Sequence, residues 1–521
     1  MELTMLDLSV VAFYVVALIT IAFFVSREKA GHVKDANDYF LAGNSLPWWA
    51  IGASLIAANI SAEQIIGMSG SGYKIGLAIA SYEWMAAITL IIVGKYFLPI
   101  FLQKKIYTMP QFLEQRFDFR VRLTMAIFWL GVYIFVNLTS VLWLGALAIN
   151  TIAGVDMLYG MGFLCLFSIA YSLYGGLKAV AYTDIIQVVL LIFGGLFLTY
   201  TTLELLGAGD GIMAGINNIL TQAPEKFDMI LAPDHPHYVD LPGLSVLVGG
   251  MWVMNLSYWG FNQYIIQRTL AAKNLREGQK GIAFAAFLKL LMPIIVVVPG
   301  IAAYLLLPDL DRPDRAYPEL MTMMPEGLRG LIFAAVIAAI VSSVASMTNS
   351  IATIFTMDIY NPLSKKEHAA KHLVKVGRIV SLLSLVIALF TAKPLLGSFD
   401  QAFQYIQEFT GFFTPGIVIL FLFGMFWKKT TANAGLAAAL GSAILSFVFK
   451  IFWPELPFMD RVGLVFLLCG LLAISVSLIE HKKDQPKVIE LSDVDFNTSR
   501  GYNIAGIAVA LILVGQYATW W

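Results

Sequence analysis

The chain has 521 residues, of which 59% are hydrophobic and only 13% charged, with a formal net charge of zero. Soluble domains carry roughly 25% charge, so this composition excludes a soluble globular protein and points to many membrane spans. The neutral balance excludes the basic footprint that a nucleic-acid partner requires.

The first apolar run, 5–25, has Glu2 and Asp7 where a signal peptide has a basic region, and no small-residue cleavage site. It reads as a retained helix. The second span, 48–72, contains GASLIAANISAEQIIGMSGSG. It is long enough to cross a bilayer, yet it carries Asn59, Ser61, Glu63, Gln64, Ser69 and Ser71. Hydrocarbon offers such groups no partner, so a polar, glycine-punctuated span predicts a helix broken at mid-membrane to face a cavity. Ala57, Ile60 and Gln64 fall on one face at i, i+3 and i+7. Where such a helix unwinds, carbonyls of apolar residues become oxygen ligands for a hard monovalent cation.

The third span, 79–101, holds Glu83 in SYEWMAA, a carboxylate that needs a partner at that depth. Spans 121–150, 156–175 and 180–206 follow. Asn137-Leu138-Thr139 matches a glycosylation triplet but lies inside a span. Asp184 stands near the end of its span, where it either guides a cation or caps a helix. The segment 207–243 contains His235 and His237, which could bind a metal, but it reads as a solvated loop.

Span 244–268 is polar and aromatic, with Asn255 and Tyr258 at i and i+3. Span 281–306 brings Lys289, the candidate partner for Glu83. Span 327–360 contains Ala339-Ile340-Val341-Ser342-Ser343, a carbonyl and two hydroxyls within about one turn. It supplies a second set of oxygen ligands, unless the serines only bond their own helix. Spans 374–393, 399–427, 431–452, 460–480 and 502–521 complete a count of about 14. Phe403 and Gln407 share a face in the eleventh, beside Glu408. Cys165 and Cys469 both sit in apolar runs and read as small buried hydrophobes rather than a disulfide.

Lys and Arg alternate along the connections. One set, including Arg27, Lys29, Lys34, Arg116, Lys178, Arg268, Lys365, Lys366 and Lys482, has about three times as many as the other, which includes Lys226 and Arg329. The rule that basic loops stay inside puts the richer set in the cytoplasm and both termini outside. Amides, a carboxylate and an ammonium distributed over separate spans (Gln64, Glu83, Asn255, Lys289, Gln407) suit a neutral hydroxyl-bearing solute. An enzyme would need a nucleophile–base pair or metal cluster at depth, and no His or Cys cluster lies in any span.

The segments DYFLAGNSLPWWAIGASLIAANISAEQIIGMSGSG, GLAIASYEWMAAITLIIVGKYFLPIF, YWGFNQYIIQRTLAAK, AAIVSSVASMTNSIATIFTMDIY and QAFQYIQE resemble the sodium/solute symporter family, and within it the bacterial sodium/galactose (sodium/glucose) cotransporters. The resemblance covers about residues 38–425. It implies an all-α membrane protein of LeuT type, with ten core helices in two inverted five-helix repeats, 48–206 and 244–427. One extra helix, 5–25, precedes the core and three, within 431–521, follow it. It implies sodium-coupled uptake of a neutral hexose across a bacterial inner membrane, with sodium as coupling ion and no other cofactor. Sodium ligands would be Ala57, Ile60 and Ala339 through carbonyls and Ser342 and Ser343 through hydroxyls. Sugar contacts would be Gln64, Glu83, Asn255, Lys289 and Gln407. Tyr258 would be the inner gate, Met68, Tyr82 and Phe403 the outer lid, and Asp184 part of the sodium exit path. The galactose carriers have a serine three residues after the glutamate, where this chain has Ala86. The alternatives are a sodium symporter for another solute (a sialic acid, an amino acid or a vitamin) and a sugar sensor that does not transport.

Overall fold

The computed structural model describes residues 3–25, 42–106, 108–364, 368–397, 401–480 and 483–521, and the backbone alone at 22, 23, 25, 42 and 171–180. Glu2, Arg27, Lys29, Lys34, residues 38–41, Lys365, Lys366 and Lys482 lie outside the described residues, as does the side chain of Lys178. In chain order the helices are α1 (Met5–Val25), the bent pair α2 (Trp48–Asn59) and α3 (Glu63–Lys74), α4 (Leu77–Gln103), α5 (Phe119–Ala153), α6 (Met157–Ala170), α7 (Ala181–Leu206), α8 (Ile212–Gln222), α9 (250–261), α10 (Gln263–Leu270), α11 (Leu275–Leu306), α12 (Leu328–Leu363), α13 (Ala370–Leu396), the bent pair α14 (Ala402–Gly411) and α15 (Thr414–Phe426), α16 (Ala432–Phe452), α17 (Phe458–Glu480) and α18 (Arg500–Thr519). Among the described residues nine helices are long and apolar enough to cross a bilayer, and each bent pair qualifies when taken as one span. Every expected span coincides with a helix or an interrupted helix. The described residues contain no strand, only an isolated parallel bridge between Leu46 and Ala272.

Helical backbone runs on from Met157 to Leu206. Ser168 donates to the Val341 carbonyl at 3.0 Å, and Ser342 donates to Asp184. Sixteen residues of straight helix rise about 24 Å, whereas the two partners are chain neighbours. The run therefore bends between α6 and α7, which count as separate segments. The expected solvated loop 207–243 contains α8, whose Gly215 and Ile219 are buried.

The interruptions arise where polar side chains offer the backbone an alternative to the helical ladder. At Ile60 (φ −72°, ψ 82°) the helix stops; the Ser61 amide turns to the Asn59 carbonyl at 2.8 Å and the Glu63 amide to Ser61 Oγ at 3.2 Å. A π-helical turn, Glu63–Met68, restarts the chain at 61° to α2. In the seventh span Gly249 and the extended Asn262 bound α9, whose last residues, Ser257–Phe261, are again a π-helical turn. A third break, a 46° bend between α14 and α15, was not expected from the sequence. It falls beside Pro415, which removes an amide from the first turn of α15.

Helix α11 packs along α2, α3 and α4, and α12 along the α6–α7 run. At Gly300 of α11 a Cβ would stand 2.2 Å from the Ser69 carbonyl, so the second half of the broken span touches α11 backbone to backbone. Gly300→Val should lower stability by about 1–3 kcal/mol through overpacking. Thermal unfolding of the purified protein in detergent measures this, and an unchanged transition would refute the close approach.

Candidate functional site

One cavity gathers most of the polar groups picked out along the chain. Gln64 from α3, Tyr82, Glu83 and Ala86 from α4, Asn255 and Tyr258 from α9, and Phe403 and Gln407 from α14 all line it. Asn59, Asn262 and Thr410 join them. Tyr82 and Phe403 meet edge to face, with ring centroids 5.1 Å apart, and close one side. Glu83 is the one formally charged residue in the wall. Gln64 Oε1, the Tyr82 hydroxyl and Thr410 Oγ1 are buried without a hydrogen-bond partner among the described residues. Each such atom costs about 1–3 kcal/mol unless a ligand satisfies it.

A chain of hydrogen bonds runs behind the cavity. Lys289 Nζ donates to Glu83 Oε2 at 2.5 Å and to Asn59 Oδ1. Asn59 Nδ2 donates to the Tyr258 hydroxyl at 3.0 Å, which lies 2.5 Å from that of Tyr264. Lys289 also stands 4.9 Å from the Trp259 ring centroid. The ammonium and carboxylate are both buried and neutralise each other. Lys289 is absent from the cavity wall; it stands behind Glu83 and Asn59 and holds them. Met68 is buried in the π-helical turn and is likewise absent from the wall.

Of the expected cation ligands, Ala57 and Ile60 lie at the break of α2, and Ser343 of α12 comes up to it. The Ser61 amide has turned to Asn59, which removes the donor a continued helix would give the Ala57 carbonyl. Ser343 Oγ of α12 is 3.4 Å from the next carbonyl, that of Ala58. Ile60 carries the break, and Ala339 lies one turn before Ser343. Ser342 donates to Asp184, so its lone pairs stay open to a cation. This patch contains neutral oxygens of the type a hard monovalent ion takes.

Asp184 is not a helix cap. It accepts from Ser54 Oγ at 2.5 Å and from Ser342, and lies 3.8 Å from Arg268. Arg268, counted with the loop charges, is buried: its guanidinium donates to the Ser54 carbonyl and hydroxyl, both at 2.9 Å, and to Ser346 Oγ at 2.6 Å. Further charges counted as loop groups are buried as well, Arg461 among them. Arg116 binds the Gly424 carbonyl, Arg329 pairs with Asp7, and Lys226 caps the Tyr73 and Lys74 carbonyls. Glu408 pairs with Lys450 and Arg461. Glu63 is buried beside Asn137. Cys165 and Cys469 are free and buried. His237 faces Asp240 at 3.0 Å, and no cluster of three or more metal-ligating side chains occurs among the described residues.

Sequence reasoning passed over Asn59, Thr410 and Tyr264 as site residues. Asn59 was visible as an amide within the broken span, and Thr410 lies at i+3 from Gln407 on the same face.

Comparison with models of protein families matches residues 39–442 to the Sodium:solute symporter family. The chain belongs to this family. A sodium/glucose cotransporter of Vibrio parahaemolyticus is 51% identical, with 100% of this chain and 99% of that protein aligned. Human sodium/myo-inositol cotransporter 2 is 32% identical over 85% of this chain and 70% of its own length. Among solved structures, a Na+-coupled sialic acid symporter in a substrate-bound outward-open state superposes with a TM-score of 0.80 at 24% identity, covering 92% of this chain and 99% of that one. The family member in hand thus has the expected all-α LeuT-type transporter fold.

Breaking the buried pair should be costly. Lys289→Met leaves Glu83 uncompensated and should lose about 3–5 kcal/mol of stability, whereas Lys289→Met combined with Glu83→Gln should recover much of it. Unfolding transitions of both variants decide this. Equal losses would mean that charge neutralisation is not what Lys289 provides.

Proposed function

We propose that this symporter carries a neutral hexose, galactose or glucose, into the cell together with sodium. The observation that carries this reading is the cavity wall: several amides and hydroxyls, three unpaired polar atoms, and a single carboxylate already neutralised by Lys289. A neutral polyol fits that inventory. An anionic solute such as a sialic acid needs an unpaired cation at the wall, and the lining residues include none. The 51% identity to a sodium/glucose cotransporter supports the same choice. A sensor with the same wall would bind sugar but give no flux.

In this mechanism Gln64, Glu83, Asn255 and Gln407 hold the sugar hydroxyls, while Lys289 positions Glu83 and Asn59. Tyr82 and Phe403 form the outer lid with Met68 behind them, and Tyr258 is the inner gate. Sodium sits between the unwound turn (Ala57, Ile60) and α12 (Ala339, Ser342, Ser343), and leaves past Asp184. A bound cation holds α2 against α12 and so favours the arrangement of Asn59 and Gln64 that accepts sugar. Coupling then requires only that sodium prefer one conformation over the other. At about 2.3 kcal/mol per charge per 100 mV, an inside-negative membrane drives accumulation. Residues 48–206 and 244–427 are the two repeats of the core, with 5–25 before and 431–521 after. Both termini face outward from a bacterial inner membrane.

Uptake of radiolabelled galactose and glucose into liposomes tests the function. Sodium-dependent accumulation is expected, and its absence for both sugars would overturn the reading. Gln64→Ala should abolish uptake. Ser343→Ala should remove its sodium dependence at normal expression, and retained dependence would rule out the cation site. Ala86→Ser restores a hydroxyl to the wall and should raise galactose affinity about 2- to 10-fold; no change would show that position 86 does not touch the sugar.

A further inference from the structure

A second built cavity lies away from the transport path. Helices α2, α11 and α18 begin at Trp48, Leu275 and Arg500, and a groove of about 420 Å³ is formed where these starts meet. Three spans that start together mark the boundary between membrane and water. The floor is aromatic. Trp48 and Phe284 meet edge to face at 5.6 Å, and Phe287 lies a turn further along α11. Trp48 and Phe287 are 38% and 39% exposed, large apolar surfaces left open in the groove. Tyr502 closes the wall, its hydroxyl donating to the Ile91 carbonyl at 2.8 Å.

Two cations, Arg276 and Lys280, line the same groove, one turn apart on α11. Glu277 lies between them, and both its oxygens are engaged: one accepts the Trp48 amide at 2.9 Å and the other faces Lys280 at 3.4 Å. Arg276 makes no ion pair among the described residues. The three groups therefore carry a net charge of +1. An aromatic trough, capped at the water boundary by a guanidinium that has no ion pair among the described residues, matches one ligand chemistry: an acyl chain with an anionic head.

We propose that this groove binds an anionic glycerophospholipid, with its phosphate at Arg276 and Lys280 and an acyl chain along Trp48, Phe284 and Phe287. The loop-charge asymmetry places this end of the helices in the cytoplasmic leaflet, where basic pockets between spans collect anionic headgroups.

The test uses Trp48 as reporter. The full-length protein is reconstituted in phosphatidylcholine vesicles containing a minor fraction of either brominated phosphatidylglycerol or brominated phosphatidylcholine. The Trp48 signal is the difference in quenching between wild type and Trp48→Phe. Phosphatidylglycerol should be enriched at Trp48 about fivefold over phosphatidylcholine, as expected for one surface cation. Arg276→Gln should abolish the enrichment and Arg276→Lys should retain it. Equal quenching by the two lipids would overturn the proposal. So would enrichment that survives Arg276→Gln, or enrichment lost in both variants.

Discussion

A helix that ends inside a membrane leaves backbone groups that lipid cannot satisfy, and each costs several kcal/mol if left bare. The break at Ile60 creates such groups, and the surrounding structure is arranged around them. The Ser61 amide turns back to Asn59, and Ser343 of α12 reaches the Ala58 carbonyl. Asn59 uses its side chain in both directions, accepting from Lys289 and donating to Tyr258. Consecutive residues of the break thus serve two sides: the Ala58 carbonyl meets Ser343 of α12, and the Asn59 side chain lines the solute cavity.

The buried charges follow from the same constraint. Taking ions out of water costs more than a surface pair returns, so charges at this depth persist only when paired and hydrogen-bonded. Lys289 and Glu83 form one such pair, and Asp184 with Arg268, Ser54 and Ser342 forms another network. The first network spans α2, α4, α9, α10 and α11, and the second ties α2 and α10 to α7 and α12. Both contain α2, the first through Asn59 and the second through Ser54. A small change in the break therefore acts on both sets of partners at once, which is the geometry that coupled transport requires.

Much of this was legible in the sequence because membranes make polar residues conspicuous. Gln64, Glu83, Asn255 and Gln407 stood out from apolar surroundings, and they converge on one cavity. The broken second span was readable from its Asn, Ser and Gly content. What stayed hidden was partnership. Arg268 sits near a span end and has the composition of a loop charge; only the fold shows that Ser54, Ser346 and Asp184 surround it. Periodicity does not distinguish a residue in a cavity wall from one behind it, so Lys289 and Gln64 looked alike from sequence. The bend at α14–α15 was missed because 399–427 is long and apolar enough to read as one span, although Gly411 and Pro415 flank the break. Residues 207–243 looked like a loop because α8 is short and buries only one face.

The most direct test of the account is calorimetric titration of the purified protein with galactose, with and without sodium. The shared break at residues 57–60 predicts that sodium raises galactose affinity, by about 5- to 150-fold for a typical coupling of this kind, and that galactose raises sodium affinity by the same factor. Asn59→Ala should shrink both factors together. Galactose affinity indifferent to sodium in the wild-type protein would contradict the claim that one broken helix serves both sites.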